Sequence, residues 1–306
     1  MNPKIKSELI DKLLSKQLGD HDTIPEENIL HDAPMPDKYF SNGHAIILNF
    51  IARSAIFNAT KGTKVAIKEK DNAVRCFTHT LKNREYTAVG EPLNQGTFNI
   101  YIAIMEQLQS YQRGSVSILL KDLAKISGFH MSNFSKVEYR ERFFYEAKKL
   151  ENTYFIVKQD AKVIYFFRLI APIRYNSKDK IFTFNFDNDL FDAYRSAEEL
   201  MTVYSVKQFN EIKGDFTKCL YRYYLSFTDD SKDEYKKTIQ YQNNLVKALG
   251  LENHPLKISN RHIKKAHDKL SDLGLISLRP SKTGTGNIRY SVEVLERKLR
   301  SVGSKA

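Results

Sequence analysis

The chain has 306 residues, 42% hydrophobic and 27% charged, with a net charge of +12 and a pI near 9.4. That length suits about two domains of roughly 100–200 residues each, and no apolar run approaches the roughly 18 residues that span a bilayer. Two cysteines, Cys76 and Cys219, have no metal-ligand spacing, which excludes a disulfide framework and a zinc ribbon and fits a reducing, cytoplasmic setting.

Residues 4–18 carry Ile5, Leu9, Ile10, Leu13 and Leu14 at helical spacing and predict a short amphipathic helix. Glu8 and Asp11 interrupt it, so residues 1–19 do not read as a secretory signal. An acidic linker with Pro25, Pro34 and Pro36 fills 20–38. From His44 the chain turns apolar, and Ala45–Ile51 with Arg53–Phe57 predicts a helix. Short strands are expected at 63–67 and 84–87, a helix at 97–111, a strand at 115–118, and helices at 119–127 and 139–150. Strands follow at 154–158, 162–170 and 180–186, then a helix over 187–200 with Asp187 or Asn188 as its N-cap.

A second unit opens with one long helix over 205–227, carrying Phe209, Ile212, Phe216, Leu220, Tyr223 and Tyr224. A polar loop (228–234), a short strand (237–239) and a helix ending at Gly250 lead to His254-Pro255, which breaks the chain. In the first unit 120–128, 139–150 and 154–158 run helix, helix, strand. In the second, 245–250, 259–273 and 275–278 repeat that order. The expected fold is α+β: two tandem winged-helix domains, 44–200 and 201–306, behind an N-terminal helical and disordered extension, 1–43.

The last 56 residues hold 12 Lys and Arg against 5 Asp and Glu, whereas residues 1–40 hold 5 against 8. On a helix over 259–273, Ile263, Ala266, Leu270 and Leu273 share an arc of about 80°. Lys257, Arg261, Lys264 and Lys265 lie opposite, with Lys269 toward the edge. Ser259 reads as the N-cap, placing Asn260 and Arg261 in the first turn, the part of a recognition helix that meets base edges. Arg pairs bidentately with guanine and Asn with adenine, while lysines hold phosphates. The strand, the turn with Gly284, Gly286 and Asn287, and the strand 288–294 read as a wing that brings Arg279, Lys282 and Arg289 to the backbone or minor groove. The corresponding helix of the first unit, 139–150, mixes cations with Glu138, Glu141, Glu146 and Glu151 and is near neutral; Lys178 and Lys180 are its weaker phosphate candidates.

Catalytic patterns are missing. There is no His-x-His pair for a nickase, His262 and His267 are misspaced for a metal pair on one helical face, and no Walker A loop is present. The sequence predicts a DNA-binding protein that is no enzyme, with no catalytic residues, no metal and no cofactor.

The block Asn49-Phe50-Ile51-Ala52-Arg53-Ser54-Ala55-Ile56-Phe57, followed by Tyr86-Thr87 and Gly90-Glu91-Pro92-Leu93-Asn94-Gln95, resembles the TrfA-type plasmid replication initiators. It departs from their pattern by Ala88 and Val89 between the Tyr and the Gly, and by Thr97 where that pattern has an acidic residue. The resemblance implies a bacterial, plasmid-associated protein. It would bind direct origin repeats (iterons) in double-stranded DNA, open adjacent AT-rich sequence and recruit the host initiator and helicase. Its first winged helix would serve homodimerisation or auxiliary DNA contact and its second would read the site. A winged-helix repressor, including one acting on its own promoter, is the competing expectation, and a rolling-circle nickase the third.

Overall fold

A computed structural model describes residues 29–30, 43–58, 74–81, 83–110, 114–171, 174–176, 178, 180–195, 201–227, 237–249, 251, 254–283 and 287–295. The expected N-terminal helix, all of the linker but Ile29 and Leu30, the strand at 63–67, the loop at 228–234, residues 196–200 and the turn residues 284–286 lie outside them. The described residues form a mixed α/β arrangement.

The apolar run at His44 is a strand, β2 (His44–Leu48), and only its continuation, α1 (Asn49–Arg53), is helical. Ala45, Ile46, Ile47 and Leu48 are all buried. A short apolar run buried on every side has no period that separates strand from helix, and tertiary pairing decides. β2 pairs antiparallel with β10 (Met201–Ser205), Ile46 opposite Val203. Its other edge is closed by Gln109, whose Oε1 accepts from the Ile46 N–H (2.8 Å) and whose Nε2 donates to the Ile46 carbonyl (2.9 Å).

Gln109 belongs to α2 (Gln95–Ser110), the central helix. Ile100, Tyr101, Ala103 and Ile104 are buried as completely as the expected stripe of Phe98, Ile102, Met105 and Leu108. The helix is buried nearly all round, its polar Thr97, Asn99, Glu106 and Gln109 included, and so lies inside the core. Asn94 caps it, accepting from the Thr97 N–H at 2.9 Å.

After α2 come β5 (Ser115–Leu119), α3 (Leu120–Ile126) and α4 (Val137–Glu151). The strand expected to match 275–278 was 154–158, and the structure corrects this. β6 (Tyr154–Gln159) and β7 (Lys162–Arg168) join β3 (Arg75–Leu81) and β4 (Arg84–Gly90) in a separate sheet ordered β3-β4-β6-β7. The hairpin beside β5 is instead β8 (Arg174–Asn176) and β9 (Ile181–Asp187), ordered β5-β9-β8, with β1 (Ile29–Leu30) pairing antiparallel with the end of β9. α5 (Asn188–Arg195) follows, its start bonded by Asp187, whose Oδ1 accepts from the Asp189 N–H at 3.1 Å.

The single helix expected over 205–227 is two, α6 (Val206–Glu211) and α7 (Asp215–Leu225), and its expected first residue, Ser205, is the last of β10. Gly214 separates the helices at φ +95°, a backbone state that a residue with a Cβ rarely adopts. Ser205 caps α6 by accepting from the Gln208 N–H. Next come β11 (Lys237–Tyr241), α8 (Gln242–Ala248), α9 (Leu256–Asp272), β12 (Ile276–Lys282) and β13 (Ile288–Val294), in a sheet ordered β11-β13-β12. The sequence α7, β11, α8, α9 and hairpin thus repeats α2, β5, α3, α4 and β8-β9, with β6-β7 inserted in the first unit. Both sheets place the last strand between the other two.

The boundary at 200/201 falls between segments that the structure joins, since β10 pairs with β2. Residues of both units share one hydrophobic cluster, including Phe57, Phe98, Phe209, Leu220 and Ile263. Two arginines lock them reciprocally. Arg222 of α7, fully buried, donates to the carbonyls of Ala52, Ser54 (3.4 Å) and Phe57 (2.5 Å) at the end of α1. Arg53 of α1 donates to the carbonyl (2.5 Å) and Oγ (3.1 Å) of Ser226 at the end of α7 and covers the Phe227 ring at 4.0 Å. Each guanidinium meets carbonyls at the other helix's C-terminus, the negative end of its dipole.

The residues carrying the family resemblance are part of this joint. Phe57 and Leu93 form a bridge, Gln95 donates to the carbonyls of Phe57 (3.1 Å) and Asn58 (3.3 Å), and Glu91 accepts from the Tyr145 hydroxyl (3.2 Å). Gly90 sits where an added Cβ would lie 2.9 Å from Thr153 Oγ1. That block is architectural.

Candidate nucleic-acid interface

α9 is amphipathic because its buried positions recur at helical spacing: Ser259, Ile263, Ala266, His267 and Leu270. At 100° per residue they centre roughly opposite Arg261. Lys257, Arg261, Lys264, Lys265 and Lys269 are exposed. The first four form one outward row, which Asp268 and Asp272, also exposed, end toward the C-terminus. Among the described residues no ion pair engages Lys257, Arg261, Lys264 or Lys265. Lys269 stands apart on the flank, its Nζ 3.6 Å from where a Cβ on Gly214 would lie.

Two of the expected positions are corrected. Ser259 is not the N-cap: α9 begins a turn earlier at Leu256, with Pro255 in the cap position. Ser259 is 1% exposed, and its hydroxyl donates back to the carbonyls of Pro255 (3.4 Å) and Leu251 (3.5 Å). A mid-helix serine bonding its i−4 carbonyl is the usual alternative to capping. Asn260 therefore sits in the second turn, half-buried, and its Oδ1 accepts from Gln242 Nε2 at the start of α8. A bidentate adenine contact needs that oxygen; here it tethers α9 to α8.

The hairpin registers Arg279 opposite Ser291 and Ser281 opposite Arg289. Alternation along a strand puts Arg279 and Arg289 on one face, and Lys282 on the other with Tyr290 and Val292. Both arginines and Lys282 are exposed. Pro280 is accommodated because β12 is an edge strand, and the turn closes with the Thr283 N–H on the Asn287 carbonyl at 2.9 Å.

Rings hold α9 in place. The Tyr224 hydroxyl lies 2.6 Å from His267 Nε2, the two rings are nearly coplanar in stacking, and Tyr290 of β13 closes from the other side at 4.6 Å. Phe216 of α7 stacks on His262 at 4.3 Å. Burial lowers the His267 pKa to about 4, so the ring is neutral and shares a hydrogen bond with the Tyr224 hydroxyl, whose own pKa burial raises. An unfolded histidine titrates near 6.5. Since the folded value lies below that, this ring's contribution is complete above pH 6.5 and fades as pH falls toward 4. Asp187, pushed up to about 6 by burial, acts in the opposite sense, so the comparison must be made against a variant. Between pH 7.5 and 5, urea unfolding of wild type is expected to lose about 2 kcal/mol more than His267→Gln. Parallel pH profiles would refute the assignment.

The helix matching α9 in the first unit engages several of its charges internally. On α4, Lys149 pairs with Glu146 (3.2 Å), Lys148 with Glu151 (2.7 Å), and Arg140 donates to the carbonyls of Phe134 and Ser135. Lys178 and Lys180 are exposed in the β8–β9 turn, Lys180 at φ +56°. Sequence reasoning missed Gln242, which joins Asn260 to the Tyr290 hydroxyl (3.3 Å), and Leu256. Gln242 gave no signal because polar residues at a helix start read as solvated.

Among the described residues, no group of His, Cys, Asp or Glu is placed to hold a metal, and no helix is long and apolar enough to cross a membrane. No family model and no curated protein matches the chain. Among solved structures, the chain is similar to the crystal structure of RctB domains 2-3, at 9% identity and a TM-score of 0.47, covering 81% of this chain and 97% of that one.

Proposed function

We propose that the chain is a sequence-specific double-stranded-DNA-binding protein that initiates plasmid replication without catalysis, built as tandem winged helices over 44–200 and 201–306. One observation carries the DNA-binding part: Lys257, Arg261, Lys264 and Lys265 form an exposed row on the outer face of α9, beside a hairpin bearing Arg279, Lys282 and Arg289. The repeated element order and the two sheets with the last strand central support the winged-helix reading. The resemblance at residues 49–57 and 86–95 supplies the initiator part. With it come iteron binding, origin opening, contact with the host initiator and helicase, self-association through the first unit and a cytoplasmic, plasmid-bound location.

Footprinting on the DNA flanking the gene tests this. An initiator protects several direct repeats of about 20 base pairs, roughly two turns of duplex, beside an AT-rich tract. Protection of a single inverted repeat would assign a repressor. Relaxed plasmid with covalently attached protein, on incubation with a divalent metal, would assign a nickase.

A further inference from the structure

Leu256 is 64% exposed, more than any other large hydrophobic among the described residues. It is the first residue of α9, one turn before the helix begins to pack at Ser259, and Pro255 already occupies the cap position. The side chain therefore neither fills the core nor ends the helix. On the helical wheel Leu256 shares the azimuth of Ile263 and His267 and lies about 80° from Lys264, but it stands a turn beyond the point where that stripe is covered, at the free N-terminal end of the helix and next in the chain to Lys257. The tether from Asn260 to Gln242 fixes this part of the helix against α8. Val137, the first residue of α4, is likewise 57% exposed, so the corresponding helix opens the same way.

An exposed aliphatic group at the N-terminal end of a helix that enters the major groove finds one apolar partner on a base edge there, the thymine C5-methyl. We propose that Leu256 is a specificity-determining residue that packs on thymine methyl groups in the recognised site. This rests on α9 being the DNA-reading helix. It assigns to Leu256 part of the base recognition that Asn260, engaged with Gln242, does not supply.

The test uses the full chain and duplexes selected by it from a random library. Each thymine of the selected site is replaced singly by deoxyuridine, which removes only the methyl. At one or two positions wild type is expected to weaken about three- to five-fold, the factor for losing one buried methyl. Leu256→Ala should bind the unmodified site weaker by a similar factor, melt at the wild-type temperature and be indifferent to uracil at those same positions. Leu256→Met should retain sensitivity. If every uracil costs Leu256→Ala as much as wild type, or if Leu256→Ala weakens random DNA equally, the assignment is overturned while DNA reading by α9 stands. If no sequence is enriched, the DNA-reading function itself fails.

Discussion

Replacing Arg222 with alanine is expected to destabilise the protein by about 3–5 kcal/mol, the cost of breaking a buried, hydrogen-bonded charged group. The guanidinium is 1% exposed, donates to three main-chain carbonyls, and lies over the rings of Phe98 (5.1 Å) and Phe57 (5.5 Å). Alanine removes that packing and takes from the Ala52 carbonyl the donor that reaches it, costing about 1–3 kcal/mol when unsatisfied, while the Ser54 carbonyl keeps the Phe57 N–H. Arg222→Lys should not rescue, because an ammonium cannot present a planar fork to carbonyls lying in different directions. Arg222→Met should fall between, keeping volume but not donors. Arg53→Ala, whose group is only half-buried, should cost less. Urea unfolding at neutral pH measures all four. An Arg222→Ala chain within 1 kcal/mol of wild type would mean that Arg222 contributes little to the joint between the units.

Arg222 also illustrates what the sequence withholds. It lies three residues after Cys219 on the face of α7 that becomes interior, yet an arginine in an amphipathic pattern reads as a solvent residue. Only the arrival of α1 supplies its carbonyl partners. The same dependence on distant chain explains β2, whose Ala45–Leu48 run looks helical until Met201–Ser205 and Gln109 pair with it. By contrast α9 was legible, since its buried stripe and cationic row are local periodicities. Its start was misplaced by one turn because Ser259 offers the chemistry of a cap while Pro255 occupies the position. β8 escaped notice because Arg174-Tyr175-Asn176 is too short to show alternation, and β6 satisfied the expected order without belonging to that sheet. Local patterns therefore identified the cationic surface proposed to meet DNA, and the contacts joining the units came from non-local packing.

That surface makes a second sharp expectation. Arg261 is exposed at the centre of the outward row, opposite the buried stripe, and among the described residues no ion pair draws it back to the protein. Its neighbour His262 is stacked on Phe216, and Asn260 is bonded to Gln242, so the turn carrying Arg261 is held on both sides. A guanidinium presented on a fixed turn can form two parallel bonds to guanine O6 and N7. Arg261→Ala should weaken the specific site by about 1–3 kcal/mol and relax the preference at one base pair. Arg261→Lys should recover phosphate affinity but not that preference. Lys264→Ala, one turn on, should weaken specific and random duplexes alike and reduce the salt slope by about one. Wild type, with about six to eight phosphate contacts, should show a log–log slope of roughly −5 to −7. Titrations of each variant across salt on both duplexes separate the two roles. Equal loss on both from Arg261→Ala would make it one more phosphate contact, and base discrimination would then have to come from elsewhere on α9 or from the hairpin.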